Sequence, residues 1–242
     1  MQPGIVLWPK QFGVQGFTTV WSRMQLYVPF MNNVIVTAVG TVLHVLLCSL
    51  AGYVLVQKGL PGKKKLMLSL ILVTMMVPGE AIMIPLYVIN KELGLLNTLN
   101  ALIISGLISG FSVLLMRNFF QSVPGEMAES ARMDGAGDFR IFFRIYMPLA
   151  KSGLATVSLF EFVSRWNQFT PALLYINNHA KYTLQIALKS LIIDTDATSS
   201  NFIITNNVRM AGIVIALLPL IAIYPFVQRY FVKGIMVGAN KE

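Results

Sequence analysis

Val34 to Val56 runs without a formal charge at neutral pH. As a helix, an apolar stretch of that length crosses roughly 30 Å of hydrocarbon. Lipid offers no partner to backbone polar groups, so a spanning segment must satisfy its own, as a helix does. Comparable stretches recur at Leu66 to Ile89, Leu95 to Met116, Leu149 to Ile176 and Met210 to Phe231. The expected fold is all-α, a polytopic membrane bundle of about five crossings. Composition agrees: 55% of residues are hydrophobic and only 12% charged, which excludes an ordinary soluble domain. The net charge of +9 does not indicate nucleic acid, because the basic residues form no stripe interleaved with aromatics.

Those basic residues gather at the ends of the apolar runs and set a topology. Lys58, Lys63, Lys64, Lys65, Arg117, Arg132, Arg140, Arg144, Lys151, Arg229, Lys233 and Lys241 fall on one side, and Lys10, Arg23, Lys91, Lys181, Lys189 and Arg209 on the other. The roughly two-to-one bias makes the first side cytoplasmic. An odd number of spans then puts the two ends of the domain on opposite faces.

Several runs carry breaks or polar groups. Pro78-Gly79-Glu80 and Pro85 interrupt the second run, and freed backbone groups there need protein or water as partners. Glu80 is either a functional ionisable group or a residue at the outer boundary. The third run is rich in glycine and serine, including Ser105, Gly106, Ser109, Gly110 and Ser112, which suits close helix packing. The fourth holds Glu161, Arg165, Trp166 and Asn167; Glu161 and Arg165 are spaced i, i+4 and can pair on one helix face. An aromatic plate beside polar groups is the usual chemistry for holding a sugar, so Glu80, Tyr87, Glu161, Arg165, Trp166 and Asn167 are candidate substrate-path residues. Hydrogen bonding between helices or to a partner subunit explains the fourth-run residues equally well. His44 is expected to pack between helices rather than relay protons, and Cys48, the only cysteine, to be a buried structural thiol.

Between the third and fourth runs lies a polar insert, residues 122–148. Ser122 and Pro124 are helix-start signals, and Met127 to Met133 fits one short helix. Gly135 and Gly137 break it, and Asp138 can cap a second helix. There Phe139, Phe142, Phe143, Tyr146 and Met147 fall on a single helical stripe, ended or kinked by Pro148. Ala128, Ser130 and Ala131 offer a narrow face of small side chains, with Glu129 beside them. A helix-turn-helix in water at this point has the form of a docking element.

Glu129-Ser130-Ala131, Gly135, Ile145 and Pro148 reproduce the spacing of the "EAA" signature, and by it the chain resembles the permease subunits of binding-protein-dependent ABC importers. Ser130 and Met147 depart from the usual alanine and leucine, at similar size. The ending from Lys233 to Ala239 is similar to that of sugar-importing members. The resemblance implies that Glu129, Ser130, Ala131, Asp134, Gly135, Ile145 and Pro148 form a cytoplasmic coupling element for a dimer of ATPase subunits. ATP and Mg would belong to those partners, with no cofactor or metal on this chain. It further implies a second permease subunit, similar or identical, an extracellular solute-binding protein, an oligosaccharide substrate and a bacterial inner-membrane location.

The resemblance covers residues 31–242, with 1–30 expected as an external N-terminal segment. That segment lacks the basic start and apolar core of a signal peptide. Members of the family usually carry one more membrane helix before this point. A start assigned too late and a shortened form both fit the sequence. Residues 177–208 form the longest external loop, with an amphipathic helix expected over Tyr182 to Lys189. The sequence contains no phosphate-binding GxxxxGK[ST] loop, HExxH or CxxC. Two rival classes remain: an ion-coupled transporter using Glu80, His44 or Glu161, and a membrane glycosyl transferase using Asp134 and Asp138.

Overall fold

The computed structural model describes residues 13–23, 25–57, 63–193 and 205–239, and among them there is helix but no strand. A short helix, α1 (Gln15–Thr18), runs through a π turn at Thr19–Arg23 and packs against the start of the last helix; a Cβ at Gly16 would lie 2.8 Å from the Asn207 carbonyl oxygen. The central element is α2 (Tyr27–Val56), 30 residues long. It begins well before Val34, so the boundary expected at residue 30 falls inside a helix. Pro29 is accommodated because it sits in the first turn, where its missing N–H has no partner to lose.

Among the described residues, two helices are long and apolar enough to cross a membrane: α2, and residues 206–225 of α13 (Asn206–Ala239). The other apolar runs are divided. The second becomes α3 (Lys63–Met76) and α4 (Met83–Glu92), parted at Pro78-Gly79-Glu80 as expected, while Pro85 sits harmlessly in the first turn of α4. The third, expected as one continuous helix, becomes α5 (Leu99–Ile104) and α6 (Gly110–Gln121). Gly106 adopts φ +77, a left-handed conformation that glycine enters without steric cost. Thr98 and Ser109 then cap the two pieces, accepting from the amides of Ala101 and Ser112. The fourth becomes α10 (Lys151–Trp166) and α11 (Thr170–Tyr175).

The polar insert folds as α7 (Gly125–Met133) and α8 (Asp138–Ile141), which passes through a π turn at Phe142–Tyr146 into α9 (Met147–Leu149). Beyond α11, α12 (Leu184–Ile193) buries Leu184, Ile186, Leu188 and Leu191. It starts two residues later than the expected Tyr182 and runs past Lys189. The rest of the expected external loop, residues 194–204, lies outside the described residues.

The polar insert and the 177–182 loop meet opposite ends of α2. Near its start, Asn32 Nδ2 donates to the carbonyls of Ala180 and Tyr182, each at 3.0 Å. Near its end, the Tyr53 hydroxyl donates to the Asp138 carbonyl at 3.4 Å. Twenty-one residues of helix separate Asn32 from Tyr53, about 30 Å at 1.5 Å per residue, the thickness of a bilayer core.

Candidate functional site

Two polar constellations stand out, one exposed on the insert and one buried in the bundle. The exposed one is built on how α7 ends. Gly135 takes φ +80, its N–H donates to the Arg132 carbonyl, and the Ala136 N–H reaches back to the Ala131 carbonyl at 2.9 Å. This is the left-handed helix stop that satisfies the last carbonyls of a helix, and glycine is the residue it favours. Ala131 and Ala136, brought together by that turn, both pack on the core beneath.

That core is aromatic. Tyr53, Phe120, Phe142 and Tyr146 form edge-on and tilted pairs with ring centroids 4.9–6.2 Å apart. Ala128, Val123, Ile141 and Val157 are buried with them. The small residues Ala128 and Ala131 therefore seat α7 on its own domain rather than forming an outward face. Glu126, Met127, Glu129, Ser130, Met133 and Asp134 are the residues turned outward, and Met133 is 88% exposed. Gly135 and Pro148 are also exposed, whereas Ile145 is half-buried. The signature motif thus divides between an outward face and the seat that holds it.

Three local expectations are corrected. Ser122 closes the preceding helix instead of opening the next: its hydroxyl donates to the Phe119 carbonyl at 2.7 Å, and Pro124 stands at the N-cap. The cap of α8 is Gly137, while the Asp138 carboxylate accepts from Arg132 Nη2 at 3.1 Å. The apolar stripe is rotated. Ile141, Phe142 and Tyr146 are buried, but Phe139 is 72% exposed and Phe143 is also exposed. The π turn inserts a residue into the helical repeat, with the Met147 N–H bonding the Phe142 carbonyl. Pro148, four residues beyond Arg144, has no N–H to give that residue's carbonyl, so a regular α-helix could not continue there.

Arg132 also donates through Nη2 to Gln57 Oε1, at the C-cap of α2. The Asp138 hydrogen bond raises the pKa of the Arg132 guanidinium above its ordinary value, favouring the charged form that makes both bonds. Sequence inspection did not single out Arg132 or Gln57. Their signal would have been a polar pair at the ends of two helices adjoining the same turn.

The buried constellation centres on Arg165, only 3% exposed. Its Nε donates to Glu161, as the i, i+4 spacing led one to expect. Its other nitrogens donate to the carbonyls of Leu102 at 3.0 Å, Ile103 at 3.1 Å and Ser105 at 3.3 Å. Those are the carbonyls freed where α5 stops, and a cation there opposes the negative end of the helix. Gly40 of α2 lets the guanidinium in, since a Cβ at that position would collide with it. His44 completes the network. Its Nε2 lies 2.9 Å from Ser112 Oγ and 3.5 Å from Cys48 Sγ, all within the bundle.

The remaining substrate-path candidates lie apart from this network's bonds. Trp166 is 1% exposed, stacked on Phe162 and met edge-on by Phe30, and its Nε1–H donates to the Ala216 carbonyl at 3.0 Å. The indole is thus enclosed within this chain. Asn167 folds back onto the Val163 carbonyl at 2.8 Å. Glu80 is exposed in the turn between α3 and α4, and Tyr87 packs half-buried against the cluster around Val36, Ala101 and Tyr175.

Residues 63–237 match the family model described as "Binding-protein-dependent transport system inner membrane component", and the chain belongs to that family. It is 37% identical over 99% of its length to Protein LplC of Bacillus subtilis, covering 83% of that protein. It is 35% identical to the polygalacturonan/rhamnogalacturonan transport system permease protein YtcP of the same organism, over 98% of this chain and 84% of that one. The arabinooligosaccharides transport system permease protein AraQ of Halalkalibacterium halodurans is 30% identical, over 100% of this chain and 85% of AraQ. Among solved structures, a bacterial ABC transporter involved in the import of the acidic polysaccharide alginate has a chain that superposes with TM-score 0.85 at 30% identity, over 95% of this chain and 84% of that one. The protein is accordingly an ABC importer permease, an inner-membrane component and not the catalytic subunit.

Proposed function

We propose that this chain forms half of a translocation path for oligosaccharides and is driven by ATPase subunits through the α7 elbow. Each divided run, α3 with α4, α5 with α6, and α10 with α11, counts as one crossing beside α2 and α13. The elbow is the cytoplasmic coupling element. A dimer of ABC ATPases receives the outward face of α7, where Glu129, Ser130 and Met133 stand. A second permease covers the apolar surface of α3 and α4, and an extracellular solute-binding protein delivers substrate at the 177–182 end. Closure of the ATPase dimer on ATP moves α7 and shifts the bundle between inward and outward openings, a two-state equilibrium biased from a distant site.

The observation that carries this reading is that the elbow and the 177–182 loop contact opposite ends of α2, about 30 Å apart. That separation matches a domain with one loop on each side of a bilayer. The carbohydrate class rests on the relatives, which are named for polygalacturonan/rhamnogalacturonan transport, arabinooligosaccharides transport and alginate import. Arg165 is consumed by backbone carbonyls and Glu161, so recognition of an acidic sugar would fall to other groups.

The test is purification of the tagged chain in mild detergent. ATPase subunits and a second permease should co-elute, and ATP hydrolysis should rise when a cognate binding protein is added with galacturonate or arabinose oligomers. A chain that purifies alone and transports in proteoliposomes without ATP would overturn the reading and favour an ion-coupled carrier.

A further inference from the structure

We propose that Arg132 is a positioning residue that fixes the rotation of α7 relative to α2. This rests on the coupling role proposed for α7. Burial of Ala128 and Ala131 on the aromatic seat sets which face of α7 looks inward, but these side chains are small and apolar packing is non-directional, so it holds the angle of this nine-residue helix only loosely. Directional bonds fix it. Arg132 supplies them from the last turn of α7, using Nη2 to join Gln57 at the end of α2 and Asp138 at the start of α8. Tyr53, one turn back on α2, donates to the same Asp138 from below. Three elements, α2, α7 and α8, are thereby tied around one guanidinium.

Its position on the surface defines what kind of work it does. Arg132 is 41% exposed and Asp138 69%, and exposed ion pairs add little to folding stability. The planar guanidinium instead holds two acceptors at fixed directions, which a lysine could not do. A force applied at Glu129 or Met133 then reaches α2 through an oriented link, instead of being lost as rotation of α7 on its seat.

The experiment uses the full transporter with nitroxide labels on Gly125→Cys, at the start of α7 where a side chain meets open space, and Val54→Cys, an exposed position, while the native Cys48 is buried and stays unlabelled. Distances are measured without nucleotide and with ATP and vanadate. One narrow distance is expected in both states. Arg132→Ala should replace it with a broad distribution and lower substrate transported per ATP about tenfold, with the ATPase still bound. Gln57→Ala, which removes the acceptor on α2, should broaden it in the same way. An unchanged narrow distance in Arg132→Ala would overturn the positioning role. Failure of the coupling reading itself looks different: no ATPase would co-purify with the labelled parent.

Discussion

The Nδ1 nitrogen of His44 lies 2.8 Å from the carbonyl oxygen of Gly106, on a neighbouring helix break, and 3.4 Å from a Glu161 oxygen. A carbonyl can only accept, so Nδ1 is the donor to Gly106, while Nε2 pairs with Ser112 and Cys48. Every polar atom of the imidazole is engaged inside one chain. Histidine therefore helps to hold the α5–α6 break in place. His44→Ala should lower the thermal midpoint of the purified complex, at a cost of about 1–3 kcal/mol for the carbonyl left unpaired. Uptake by the wild type should be insensitive to a protonophore when ATP is held constant.

Gly40 faces the Arg165 guanidinium with no room for a side chain. Gly40→Ala should displace the arginine and release the Leu102, Ile103 and Ser105 carbonyls in an apolar surround. The expected result is loss of folded yield, with overpacking alone costing roughly 1–3 kcal/mol. The check is the monodisperse fraction in size-exclusion chromatography, compared with Gly79→Ala, where a Cβ meets open space.

Met133 is a long apolar side chain standing almost wholly in solvent on α7. Under the proposed function it enters a groove of the ATPase. Met133→Asp should leave insertion and folding unchanged, since the side chain packs on nothing buried. It should weaken ATPase association roughly 10- to 100-fold, the effect of losing an interface hot spot. Binding of the purified ATPase to permease in nanodiscs measures this directly. An unchanged affinity assigns the docking face to other residues.

Gly135 sits in the left-handed region, where a Cβ costs about 1 kcal/mol or more, although the space around it is open. Gly135→Trp should leave the protein in the membrane but uncouple ATP hydrolysis from uptake. Transport at the normal rate in this variant would remove the elbow from the mechanism.

Trp166 is enclosed by Phe30, Phe162 and the Ala216 carbonyl. Trp166→Ala should destabilise by about 3–5 kcal/mol, as large aromatic deletions in a core do. Trp166→Phe, retaining most of the volume, should leave the KM for uptake unchanged. A raised KM in the phenylalanine variant would restore the tryptophan as a substrate contact.

Periodicity and breaker residues made much of this architecture legible. The end of α2 at Val56, the break at Pro78-Gly79-Glu80, the turn at Gly135 and the Glu161–Arg165 pair follow from hydropathy, proline and glycine chemistry and i, i+4 spacing. The division of the third run was hidden, because Gly106 and Ser109 suit a close-packed membrane helix as well as a break. What decides it is the partner: Arg165, sixty residues away, satisfies carbonyls that lipid would leave bare. The rotation of Phe139 and Phe143 to the outside was hidden for a different reason. A stripe drawn at 3.6 residues per turn assumes a regular helix, and the π turn before Pro148 is not one.

The length of α2 has one more consequence. Because a single unbroken helix touches the elbow at Tyr53 and the far loop at Asn32, any tilt imposed at one end appears at the other without a relay of side chains. Gly52 marks where that lever bears on α6: the two backbones come so close that a Cβ there would lie 2.9 Å from the Arg117 amide nitrogen. A side chain at that contact would prise α2 from α6 and move the point about which the lever turns.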